Sequence, residues 1–403
     1  MAGLSFWASE LKDARKTVAA FLKGLLAQGV FDAIYVPLRT PQGDSVVPAL
    51  VHDPDLLEQA DPLAPVMLIN GARAVAALTV SATAGRIAAV LRPCEIRALI
   101  ELCKLRQASL DRLTIIGLDC AGTYEVTDYI RLSAGGADAA TPLVVEAAEG
   151  AIHQHNNHTL RPACQMCDYP VPLNAQITIG FIGVDGLMIE MDEATAGKLG
   201  LRNVAPHPSL DASGDLTLRA LPDGERGQGA SCTWPVIPPG DLMFRQDIVQ
   251  RLVSERTAQR EEAMTALTAR LASPAALGSY FAACQRCHNC MVACPICYCK
   301  ECLFRTAALD HEPERYLRLA ERKGATRLPA DTVLFHLTRL NHMSTSCVGC
   351  GLCESACPSD IPLTVLFRSV AARTQALFDY VPGRRLDEDV PLMTFREAEL
   401  EGV

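Results

Sequence analysis

The 403-residue chain lacks a basic excess: 37 Lys and Arg stand against 46 Asp and Glu, for a net charge of -9. A phosphate-binding surface needs the opposite balance, which argues against a nucleic-acid role and for small-molecule or protein partners. No stretch offers the ~18 uncharged apolar residues of a membrane span. The first residues are not expected to act as a secretory leader, because Glu10, Lys12, Asp13, Arg15 and Lys16 interrupt them before an apolar run develops. No Gly-x-Gly-x-x-Gly follows an expected strand, so the usual dinucleotide fingerprint is absent. No Ser/His/Asp set, pterin site or nickel site stands out, and the primary chemistry is therefore expected on another subunit.

Cysteine, by contrast, is abundant, with seventeen residues at metal-binding spacings. Together with that reading of the first residues, this points to a reducing, cytoplasmic setting in which thiols stay available as ligands. The composition, 49% hydrophobic and 21% charged, is that of a globular protein. The length suits two or three domains.

Two runs share one spacing: Cys284, Cys287, Cys290, Cys294 before Pro295, and Cys347, Cys350, Cys353, Cys357 before Pro358. This C-x2-C-x2-C-x3-C-P pattern holds 4Fe-4S clusters in two-cluster ferredoxins, where the fourth thiolate reaches to the other run's cluster. The expected sets are Cys284, Cys287, Cys290 with Cys357, and Cys347, Cys350, Cys353 with Cys294. Structural zinc is the alternative, but zinc is usually held by two separated CxxC pairs. Cys297, Cys299 and Cys302 follow directly; they are either ligands of an additional metal, with Cys232 or a histidine as fourth ligand, or thiols packed on the first cluster.

The spacing predicts a helix over residues 8–28 stopped near Gly29, and strands near 33–38 and 45–51. A β-α-β unit follows, with a strand Arg86 to Leu91, a helix opened by Pro93 and a strand Leu113 to Leu118, giving adjacent parallel strands. Helices are expected over 241–271, 312–322, 330–343 and 359–378. The resulting architecture is an N-terminal mixed α/β flavin and 4Fe-4S domain (1–220) and a Pro/Gly-rich linker (221–240). After these come an all-α helical ferredoxin-like domain with two 4Fe-4S clusters (241–380) and an extended tail (381–403), read as a partner-binding arm or a frayed end.

Cys94, in the first turn of the β-α-β helix, and Cys120, just past the next strand, share the carboxyl edge of the expected sheet, where open α/β folds bind ligands. Cys164 and Cys167 add a CxxC loop. On spacing alone this set is open between zinc, iron-sulfur and buried thiols. Asp119 and Asp168 each adjoin a cysteine, as tuning charges or as turn caps. His153, His155 and His158 read as a solvated loop rather than a metal site, and Cys103 as core.

Arg92-Pro93-Cys94-Glu95-Ile96-Arg97-Ala98-Leu99, Gly117-Leu118-Asp119-Cys120, Cys164 to Tyr169 and Ile177-Thr178-Ile179-Gly180 resemble the beta-subunit family of coenzyme F-420 hydrogenases and dehydrogenases. With the ferredoxin-type runs attached, the likeness is nearest to the formate dehydrogenase members. The resemblance implies FAD beside a cluster held by Cys94, Cys120, Cys164 and Cys167, hence three 4Fe-4S clusters and one flavin. Asn70, Arg92, Arg97, Asp168, Gly180 and Gly183 are the implied flavin contacts. It also implies two kinds of partner: a catalytic alpha subunit of a Mo/W formate dehydrogenase or hydrogenase, and a soluble carrier (F-420, NAD(P) or another) or a heterodisulfide-reductase-type subunit. The chain departs from the family at Gln176, where an acidic residue is usual, and in placing its ferredoxin runs after the flavin domain. The reading from a different class is a non-catalytic, zinc-stabilised adaptor.

Overall fold

The computed structural model describes residues 3–9, 11–80, 85–152, 158–198, 239–306, 308–309, 312–325, 330–391 and 393. His153, His155 and Cys232 lie outside them, as does the expected linker except for Pro239 and Gly240.

Seven strands make one mixed sheet: β1 (Gly3–Ser9), β2 (Ala33–Arg39), β3 (Val46–Val51), β4 (Ile87–Leu91), β5 (Leu113–Leu118), β6 (Ile177–Gly180) and β7 (Leu187–Asp192), in the order β1-β7-β6-β5-β4-β2-β3. The pairs β2–β4, β4–β5 and β5–β6 are parallel, and the outer pairs are antiparallel. Every residue of β4 is buried, as a central parallel strand covered on both faces requires. Its side chains alternate, with Ala88 and Val90 in one core and Ile87, Ala89 and Leu91 in the other. Gln176 serves the sheet itself, since its Oε1 accepts from Ile115 N at 2.8 Å and so extends the β5–β6 ladder.

One face of the sheet is covered by the helices Ala14–Ala27 and Ala140–Glu149. The other meets Gly71–Val80 and Pro93–Lys104, and this second core runs on without a break into Phe281, Phe335 and Phe367 of the helical C-terminal region. That region holds Pro313–Lys323, Ala330–Met343 and Leu363–Leu377, within about two residues of the expected helices for the first two; the third starts later, after Pro362.

The helix Pro239–Arg270 is continuous and reaches across to the sheet. Ile248 and Leu252 join the first core. Arg245 forks onto Asp119 at 2.6 and 2.9 Å, and Asp119 also accepts from the Phe181 and Ile182 amides. A buried carboxylate with four donors is stable only as a set; removing one partner of such a pair costs about 3–5 kcal/mol. The described part of the tail is docked as well. Glu101, wholly buried, accepts from Tyr380 Oη at 2.6 Å and Gly383 N at 2.9 Å.

Candidate metal centres and their junctions

In each C-terminal run the chain must turn sharply between cysteines. The second run does so with Gly349 and Gly351, at φ +71° and +75°, and the first uses Arg286 and His288 at the same steps, at φ 57° and 60°. The turns place the thiols around two hollows. One, about 310 Å³ with its mouth included, is lined by Cys284, Cys287, Cys290 and Cys357. The other, about 450 Å³, is lined by Cys294, Cys347, Cys350 and Cys353. Among the described residues no three His, Cys, Asp or Glu side chains converge on a single-ion site; these thiols ring a space instead.

Loss of water raises the most enclosed of them: Cys290 is pushed up to about 11 and Cys350 to about 12, and Cys353 well above the ordinary value. Such sulfurs become thiolates only when a strong positive charge, such as iron, shares the hollow. His336, stacked on Phe281 with centroids 4.0 Å apart, places Nε2 3.4 Å from Cys284 Sγ.

The third set is gathered from three segments. Helix Pro93–Lys104 starts where Arg92 N meets Glu95 Oε2 at 2.8 Å, which sets Cys94 in the first turn. Cys120 follows β5, and its amide donates to Pro170 O at 2.8 Å, tying it to the CxxC loop. Cys164 Sγ lies 3.3 Å from both Thr123 N and Thr123 Oγ1. Desolvation pushes Cys120 up to about 12, with Cys164 and Cys167 adding to the rise. At Cys164 desolvation acts upward too, but the Arg161 guanidinium and the Thr123 donors outweigh it and the thiol is lowered. Cys94 is raised, first by burial, then by Glu95, then by Cys350 of the second hollow.

That last neighbour marks a junction. Gly351 packs against Ala163, so closely that a Cβ there would overlap the Ala163 Cβ. Arg161 Nη1 donates to Ser355 Oγ at 3.3 Å, and Arg97 Nη1 to Val348 O at 3.1 Å. Arg368 donates to Met166 O and, at 3.2 Å, to Asp168, which also takes Thr257 Oγ1 and Arg260. The CxxC loop is thereby clamped between two helices.

The six implied flavin residues are each engaged within the fold. Arg97 holds backbone carbonyls and stacks on Tyr169 at 3.7 Å. Asp168 is saturated by its cations, and Gly180 and Gly183 face Arg245 and Ile248 of the long helix. Asn70 caps its helix through Oδ1, leaving Nδ2 without a partner among the described residues. Arg92 lines a hollow of about 250 Å³ with Asp119, Cys120 and Phe181. Cys103 is half-buried, and burial pushes it up to about 11; Cys299 is exposed. His158 meets Asp128 at 3.1 Å.

Sequence reasoning missed the arginines. Arg161, Arg245, Arg339 and Arg368 hold these junctions, and nothing in their spacing separates them from arginines of a solvated helix face.

Residues 255–361 match the family described as 4Fe-4S dicluster domain, a span that includes all eight cysteines of the two runs. The chain is 26% identical over 335 residues to the F420-dependent formate dehydrogenase subunit beta of Methanocaldococcus jannaschii, covering 76% of this chain and 75% of that one. It is 26% identical over 402 residues to the F420-dependent formate dehydrogenase 1 subunit beta of Methanococcus maripaludis, covering 93% and 91%. A chain in the solved F420-reducing [NiFe] hydrogenase complex from Methanosarcina barkeri is a distant likeness, with a TM-score of 0.40 and 11% identity over 66% of this chain and 92% of that one. This protein is thus a homologue of proteins named F420-dependent formate dehydrogenase subunit beta, with a mixed α/β sheet region and a helical region that carries a 4Fe-4S dicluster domain. Among the described residues no helix is long and apolar enough to cross a membrane.

Proposed function

We propose that this chain is the electron-transferring beta subunit of an oxidoreductase complex and holds three 4Fe-4S clusters. Cys284, Cys287, Cys290 and Cys357 would hold the first, Cys347, Cys350, Cys353 and Cys294 the second, and Cys94, Cys120, Cys164 and Cys167 the third. The observation that carries the reading is the lining of the two C-terminal hollows, each by three thiols of one run and the fourth of the other. Such clusters, when bound, accept and release single electrons. The chain's own part is to keep water from the thiols and to keep the three sets adjacent. The contacts of Gly351, Arg161 and Arg368 between the CxxC loop and the second run support that arrangement.

The names of the relatives support a formate dehydrogenase as the catalytic complex and F-420 as the carrier. That the partner is a Mo/W alpha subunit or a hydrogenase, and that NAD(P), another carrier or a heterodisulfide-reductase-type subunit could be the acceptor, rests on the resemblance alone. FAD enters on resemblance alone, with no contact residue assigned.

Protein purified without oxygen tests the reading. About twelve irons with matching acid-labile sulfide are expected, flavin should be released on denaturation, and a dehydrogenase or hydrogenase subunit should co-purify. Colourless protein with stoichiometric zinc would replace the reading with that of an adaptor.

A further inference from the structure

Arg339 is 4% exposed on the helix Ala330–Met343. Its guanidinium lies 4.6 Å from the Phe367 ring centroid and 5.6 Å from that of Phe335. Nη2 donates to Cys290 O at 3.0 Å, whereas Nε and Nη1 have no acceptor among the described residues. No carboxylate pairs with it there. Arg161 is the contrast, since its donors reach Thr123, Ser355, Met67 and Cys164. Arg368, in the same hollow as Arg339, is paired with Asp168.

A buried guanidinium between two aromatic rings, with two donors unspent, is costly unless an anion completes it. Its place shows where that anion belongs. Arg339 lines the Cys294, Cys347, Cys350, Cys353 hollow and holds the carbonyl of Cys290, a residue of the other hollow. Burial works against its charge, and the sulfurs of Cys290, Cys353 and Cys294 outweigh it.

We propose that Arg339 is the shared counter-cation of the two C-terminal clusters, giving its free Nε and Nη1 donors to sulfur in the second hollow and its charge to both. The proposal rests on the cluster reading above. A cluster gains one negative charge on reduction, so a nearby buried cation stabilises the reduced form and raises the potential. Hydrogen bonds to sulfur act in the same direction. Arg339 is a positioning and tuning residue; it moves no electron itself. Because both clusters draw on one cation, reducing either lowers the tendency of the other to take an electron.

The test is an anaerobic redox titration of the whole chain followed by electron paramagnetic resonance, in wild type, Arg339→Gln and Arg339→Lys. Arg339→Gln should shift the reduction equilibrium of the Cys294-hollow cluster at least tenfold toward the oxidised form, about 59 mV for a one-electron couple, with a smaller shift of the same sign in the other. Arg339→Lys keeps the charge and loses the fork; it should move the Cys294-hollow cluster only. Unchanged midpoints in variants with full iron and sulfide would overturn the inference. So would loss of iron from both variants, which would assign Arg339 a purely structural role. Wild-type protein without iron or labile sulfide would instead remove the cluster reading itself.

Discussion

The two cysteine runs share a spacing but not a turn chemistry. At the steps where the backbone must be left-handed, the first run has Arg286 and His288 and the second has Gly349 and Gly351. A side chain there costs roughly 1–2 kcal/mol, and the first run accepts that because both residues are employed. Arg286 pairs with Asp331 at 2.5 Å, and the His288 ring lies 4.8 Å from Phe335. The second run has no room for a side chain: Gly351 abuts Ala163 and Gly349 lies under Arg368. The glycines mark the turns that press on Ala163 and Arg368, where no side chain fits; the first run meets the α/β region past its turns, where Val292 O accepts from Arg73.

The largest effect should come from removing a thiol. Cys290→Ser and Cys353→Ser should each lose about four irons, but only the second should also disturb the spectrum of the Cys94 set. Equal disturbance by both would dissolve the distinction between the runs. Next is Gly351→Ala, expected to destabilise by about 3 kcal/mol through left-handed strain and overlap with Ala163, read as a lower denaturant midpoint of the loaded protein. If it behaves like wild type, the close approach of the two regions is wrong.

Asp168→Asn leaves Arg260 and Arg368 facing a neutral amide. With these groups partly exposed, about 2 kcal/mol is expected, seen as faster proteolysis of the CxxC loop, whereas Asp331→Asn, which unpairs Arg286 of the first run, should leave that loop protected.

Asp61 belongs to neither run. Its carboxyl, 3% exposed, is raised from 3.8 to about 6, mainly by burial. The folded state then binds the proton more tightly than the unfolded one. Its contribution is fully present below pH ~3.8 and lost as pH rises through about 6. Roughly 3 kcal/mol of stability should fade across that window, and Asp61→Asn should flatten the slope; an unchanged slope in the variant would exclude Asp61 as its source. The smallest effect is expected of His288→Gly, where relief of backbone strain and loss of the Phe335 contact nearly cancel, within about 1 kcal/mol. A large loss would show that His288 has a role in the first hollow beyond its turn.

The cysteines within each C-terminal run were legible in the chain because a run spans one short turn, where spacing is geometry; that each hollow is completed by a cysteine of the other run is tertiary. Most elements were legible for the same local reason: β4, the helix from Pro93 and β5 follow from periodicity and a proline at the first helical position. The partners of the implied flavin residues were not. Arg97, Asp168, Gly180 and Gly183 are engaged by residues between 169 and 383, and no spacing rule reaches that far.

The sequence by itself determined which cysteines could act together within a run, since turn geometry is set by neighbouring residues and by the prolines that end it. Only tertiary structure decided that the long helix crosses back to Asp119, that Ala163 and Gly351 meet, and that Arg339 is left between two hollows with unspent donors. Those outcomes follow from burying apolar faces across the whole chain. Packing of that kind is nondirectional and long-range, and it leaves no period in the residues that it brings together.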